Sequence, residues 1–162
     1  MHFVLRLLDT LLDVLIVLFV LAAAGLGAYA LWDNQNIYQN ADAAVYAAYR
    51  PAEEEADGED GLAELRAVNP DVVAWLQVDD TQINYPVVQG EDNNRYVNTD
   101  AAGDYSLSGS IFLDYRNKAD FSSRNSILYG HHMAKGTMFG QLDEYGDRSF
   151  FDAHRTGSLY YN

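Results

Sequence analysis

Between Val14 and Leu31 eighteen consecutive residues carry no charge. As a helix this run rises about 27 Å, enough to cross the hydrocarbon of a bilayer. Leu11 and Leu12 extend it, and Tyr29 and Trp32 stand where interfacial aromatics anchor a span. From Asn36 to Arg50 the apolar positions Ile37, Ala41, Ala44, Val45, Ala48 and Tyr49 recur at helical spacing, which predicts a juxtamembrane helix stopped by Pro51. Six carboxylates between Glu53 and Asp60, interleaved with two glycines, predict a solvated linker over 51–61. Leu62 to Val68 reads as a short helix closed by Asn69-Pro70, and beyond it the period shortens to that of strands.

Val72–Val78 and Ile83–Val88 predict two strands around a tight Asp79-Asp80-Thr81 turn, with Pro86 implying an edge position or a bulge. Gly90 to Asp100 is polar and predicts a loop with a helical turn. Gly109–Leu113 and Ser126–Tyr129 predict a third and fourth strand, Thr137–Tyr145 a short helix, and Leu159–Tyr161 the start of a fifth strand. The pattern as a whole is that of a mainly β domain. It divides the chain into a stub and anchor (1–32), a juxtamembrane helix (33–50), the acidic linker (51–61) and a β domain (62–162).

Charge orients the anchor. Arg6 is the sole Lys or Arg ahead of the span and the next is Arg50, so the positive-inside bias places the N-terminus in the cytoplasm and the C-terminal domain outside a single-pass membrane protein. A cleavable leader ending at Ala28-Tyr29-Ala30 competes with this reading, but the apolar run is longer than a usual leader core, and an uncleaved anchor is expected. Twenty-four acidic residues against ten basic give a formal charge of -14 with no Lys/Arg cluster, which argues against a nucleic-acid partner. Cysteine is absent, removing disulfides, thiolate ligands and a cysteine nucleophile from these 162 residues.

Candidate chemistry gathers at Ser126–Leu142. Ile127, Leu128 and Tyr129 form an apolar run, Gly130 permits a turn that a Cβ would hinder, and His131 and His132 follow at the strand end. Histidine exchanges protons near neutral pH, and loops on rigid strands display catalytic groups, although a histidine pair in a loop is commonly plain surface. Adjacent histidines rarely share one ion and no HExxH spacing occurs, so neither a metal nor any other cofactor is expected. The acidic linker lacks the spaced ligands of a calcium loop. No GxSxG elbow marks a serine nucleophile. Met133, Met138 and Phe139 read as core packing.

Four ordered blocks carry a family resemblance: Asn69-Pro70-Asp71-Val72-Val73-Ala74-Trp75-Leu76, Ile83-Asn84-Tyr85-Pro86-Val87-Val88-Gln89-Gly90, Gly109-Ser110-Ile111-Phe112-Leu113-Asp114, and Tyr129-Gly130-His131-His132-Met133 followed by Met138-Phe139-Gly140. Together they resemble the first half of a class B sortase, and the anchor and juxtamembrane helix are similar as well. The resemblance implies an incomplete sortase-like β-barrel with N-terminal helices, preceded by a single transmembrane helix. It implies a cysteine transpeptidase of Gram-positive bacteria that cleaves an Asn-Pro-x-Thr-like sorting signal and joins it to an amine of a cell-wall precursor or pilin. The thiol forms an acyl-enzyme, a histidine serves as acid/base and an arginine steadies the oxyanion. His131 matches that histidine; Asn93 matches a position near it and the substrate, and Val97 one lining the peptide groove. His132 has no assigned role.

The family's Thr-Leu-x-Thr-Cys type motif and following arginine have no counterpart before Asn162, and none of Arg116, Arg124, Arg148 or Arg155 takes the arginine's place. A barrel removes its edges only by closing. The chain is therefore expected to be the N-terminal portion of a longer product and inactive as it stands. A noncatalytic membrane-tethered module that binds a peptide or a partner is the alternative.

Overall fold

The computed structural model describes residues 2–51 and 59–161, so the expected acidic linker lies largely outside the described residues. The chain divides into two compact units, Met1–Asn36 and Ile37–Asn162. Helix α1 runs from His2 to Asn40, and its apolar side chains from Phe3 to Leu21 are exposed all round. A helix apolar on every side suits lipid rather than one flank of a core, and this one is long and apolar enough to cross a membrane. No break falls at the expected start of a juxtamembrane helix. The helix instead ends after Asn40, where Asp42 accepts a hydrogen bond from the Ala44 amide at 2.9 Å and opens a separate 3-10 segment, Ala43–Tyr49.

Among the described residues of the second unit, five strands form one sheet in the order β4-β3-β2-β1-β5. They are β1 (Val72–Val78), β2 (Asn84–Val88), β3 (Ile111–Leu113), β4 (Leu128–Tyr129) and β5 (Gly157–Tyr161). Helix α2 (Glu59–Val68) precedes the sheet and α3 (Arg148–Ala153) leads into β5. All pairings are antiparallel except β2 with β3. The expectation of a mainly β chain is corrected, since 48% is helical. Two causes combine: α1 alone takes 39 residues, and the connections hold short 3-10 segments that an amphipathic period cannot reveal. Gly140–Gly146 is one of these, standing in place of the helix expected over Thr137–Tyr145, and α3 is an element that the periodicity does not announce.

A bulge between Val72 and Ala74 sets which side chains share a face. Strict alternation would pair Val73 with Trp75; the extra residue instead brings Val72 onto the Trp75 face, with Leu62, Leu65, Val88, Tyr96 and Phe112. Arg66 on α2 donates to the carbonyls of Val72 and Val73 at 3.0 and 3.2 Å, satisfying the irregular backbone. The other face packs Ala74, Ile83, Tyr85, Val87, Ile111, Leu113 and Met138.

Pro86 is neither at an edge nor at the bulge. It lies opposite Trp75 in a strand with partners on both sides. The Val78 amide donates to the Ile83 carbonyl, and alternation from that pair makes Trp75–Pro86 a non-hydrogen-bonded position. The missing N–H therefore faces β3, whose pairing with β2 begins only at Val87. A proline costs the ladder nothing there.

Candidate active site

Strand β4 delivers His131 by way of Gly130. The glycine does not adopt a left-handed backbone, since it is absent from the residues with positive φ. Space is what requires it: a Cβ would lie 2.4 Å from Ile111 Cδ1 and 3.0 Å from Phe139 Cδ2. Beyond it the chain folds back, with the Phe139 amide donating to the His131 carbonyl at 2.9 Å and His132 bridged to Met138. Tyr85 pins this loop from below. Its hydroxyl donates to the Ala41 carbonyl at 2.9 Å and accepts from the Met138 amide at 3.0 Å, and burial raises its pKa.

The two adjacent histidines have opposite surroundings. His131 is half-buried, with Nε2 2.8 Å from the Val97 carbonyl oxygen. A carbonyl only accepts, so Nε2 carries the hydrogen in this contact, and in the neutral ring Nδ1 holds the lone pair. His132 is exposed and places its Nε2 2.7 Å from Asp143, itself exposed. His154 lies elsewhere, stacked on Phe150 at 3.9 Å with Nδ1 on the Phe150 carbonyl. Among the described residues no three metal-ligating side chains converge.

Val97 thus meets His131 through its main chain, while its side chain packs against the Trp75 face of the core. Gly109 makes that contact possible. With φ at 57° it occupies the left-handed region, and a Cβ there would stand 2.4 Å from the Val97 oxygen. Asn93 does not touch His131 directly among the hydrogen bonds present. Its amide donates to Asp114 Oδ2 at 3.0 Å, and its oxygen accepts from the Tyr115 amide at 3.0 Å.

Asp114 ends the third family block without a role implied by the resemblance, and it proves central. Only 1% exposed, it follows β3 and is the one fully buried acid among the described residues. Arg116 donates to it from Nε, Nη2 and the backbone amide, Asn93 from its amide, and Tyr129 from its hydroxyl at 3.0 Å. The Arg116 hydrogen bonds, side chain first, hold its carboxyl well below the usual carboxylate range, with Asn93 and Tyr129 adding to them against the opposing effect of burial. Buried aspartates are rare without such partners. An acid directly after an all-apolar strand is the signal by which the sequence marks it.

This sheet, with a partly buried histidine just beyond β4, has structural counterparts among known proteins. Residues 76–161 match the Sortase domain family. Sortase B of Listeria monocytogenes is 37% identical over 134 residues, covering 83% of this chain and 54% of that protein. Among solved structures, sortase B of Bacillus anthracis superposes with a TM-score of 0.70 at 36% identity, covering 82% of this chain and 65% of that one. A class B sortase of Streptococcus pyogenes involved in pilus biogenesis is 50% identical with a TM-score of 0.60, over 62% of this chain and 55% of that one. The chain belongs to the sortase family, and these relatives are sortases of class B. It spans about half the length of the curated relatives it matches.

Proposed function

We propose that this chain is the N-terminal portion of a membrane-anchored class B sortase transpeptidase, with His131 as its general acid/base. The observation that supports this most is the placement of His131: at a strand end, half-buried, and held through Nε2 on the Val97 carbonyl, in a chain of this family. In this reading α1 crosses the membrane of a Gram-positive cell once, with the N-terminus inside and the second unit outside. A cysteine thiolate from the portion of the protein beyond these residues attacks the threonine carbonyl of an Asn-Pro-x-Thr-like sorting signal. His131 gives a proton to the departing amine. The acyl-enzyme is then resolved by an amine of a cell-wall precursor or pilin, whose proton His131 accepts. Asn93 and Val97 border the peptide, and an arginine of that later portion steadies the oxyanion. The 162 residues by themselves form no acyl-enzyme.

Thiol labelling and mass spectrometry of the native gene product in isolated membranes test this. A product near the length of the Listeria relative, carrying one reactive cysteine, is expected. A product of 18.1 kDa with no labelled thiol would overturn the reading. The absence of cysteine from the chain favours a second reading in that event, a noncatalytic membrane-tethered module that binds a peptide or a partner.

A further inference from the structure

The Asp114 carboxylate accepts five hydrogen bonds, more than any other carboxylate among the described residues, and two of the donors belong to the two separate segments that meet at the His131–Val97 contact. Tyr129 ends β4 two residues ahead of His131, so the bond from its hydroxyl ties down the strand that carries the imidazole. Asn93 lies just ahead of the Arg95–Val97 turn, four residues before Val97, so the bond from its amide ties down the segment whose carbonyl receives Nε2. The same carboxylate therefore holds both the ring's carrier and the ring's acceptor. Neither tie is replaceable by solvent, because the carboxylate is buried and Arg116 already satisfies its charge.

We propose that Asp114 is a positioning residue that fixes the His131–Val97 contact, keeping the hydrogen on Nε2 and leaving Nδ1 as the nitrogen that exchanges protons with substrate. This rests on His131 being the acid/base of the reaction proposed above. Geometry gives the logic. If the carbonyl of Val97 drifts or β4 shifts, Nε2 loses its acceptor, and both neutral tautomers become populated.

The test is nitrogen NMR of the full chain in lipid nanodiscs, with 15N-labelled imidazoles, at alkaline pH where the rings are neutral. The His131 resonances are assigned by their loss in H131Q. In the native chain His131 shows one protonated nitrogen, Nε2, and one bare nitrogen, Nδ1. In N93A and in Y129F the two shifts move toward each other as the tautomers average, and in D114N they move further. D152N, on an exposed pair, leaves them in place. If D114N does not fold, N93A and Y129F decide, since each removes one donor and keeps Asp114 paired with Arg116. Native shifts retained in both of these single-contact variants would overturn the proposal, and so would a native His131 protonated at Nδ1. The readout is a chemical shift rather than an activity, so failure of this proposal is distinct from failure of the sortase reading, which the thiol labelling decides.

Discussion

Two regions of this protein pair an aspartate with arginine, and they behave differently because only one of the carboxylates is buried. Around Asp114 the carboxylate is buried, 1% exposed, while the Arg116 side chain that pairs with it reaches the surface. Around α3, Asp152 takes Arg148 and Arg155 in the open, and Asp143 meets His132 at the surface. In both regions hydrogen bonds from arginine lower the aspartate's pKa. Only in the first does the charge have no water to fall back on. Exposed pairs are screened and contribute little, whereas a buried carboxylate stripped of partners is left uncompensated. The same residue types thus form scaffold in one place and surface in the other.

The sharpest way to break this contrast is Asp114→Ala, which unpairs Arg116, Asn93 and Tyr129 together. In denaturant unfolding of the full chain in micelles, followed by tryptophan fluorescence, it produces a larger drop in midpoint than Gly109→Ala, Tyr85→Phe or Asp152→Asn. Acid sharpens it further. The folded carboxyl is held below its unfolded value of about 4, so its contribution is complete above that pH and is lost as pH falls toward the folded value. Between about pH 5 and pH 2 the native chain therefore loses stability more steeply than Asp114→Asn does.

Next in size is Gly109→Ala, which combines a left-handed φ with a Cβ 2.4 Å from the Val97 oxygen. A cost of about 2–4 kcal/mol is expected from strain and overpacking, with a shifted Val97 carbonyl resonance as its local signature. Tyr85→Phe follows. It leaves the Ala41 carbonyl and the Met138 amide unpaired, and a loss of about 1–3 kcal/mol is expected, with faster hydrogen exchange at the Met138 amide. Smallest is Asp152→Asn, which leaves the unfolding midpoint unchanged within error, while a drop matching that of Asp114→Ala would erase the distinction between the regions.

Much of the frame is legible in the chain. The long apolar helix, the turn at Asp79-Asp80-Thr81 and the succession of strands along the chain all follow from local periodicity and turn residues, which need no knowledge of partners. Pro86 misleads, and what crowds Gly130 stays hidden, for one shared reason. A proline's cost depends on which side of the strand has a neighbour, and a glycine's value can lie in what presses against it. Neither is a local property. His131 stands out as a residue type at a strand end, yet its distinction from His132 needs Val97, 34 positions away.

By itself, then, the sequence determined an apolar helix long enough for a bilayer, a set of short strands, a histidine beyond β4 and a likeness to the sortase family. These rest on spacing, composition and motif order along the chain. The tertiary structure alone decided that Asp114 is buried, that Arg116, Asn93 and Tyr129 converge on it, and that Gly109 leaves room for the carbonyl that receives His131. Those contacts join residues from separate loops and strands, and their energies come from excluding water, which happens only once the sheet has brought them together.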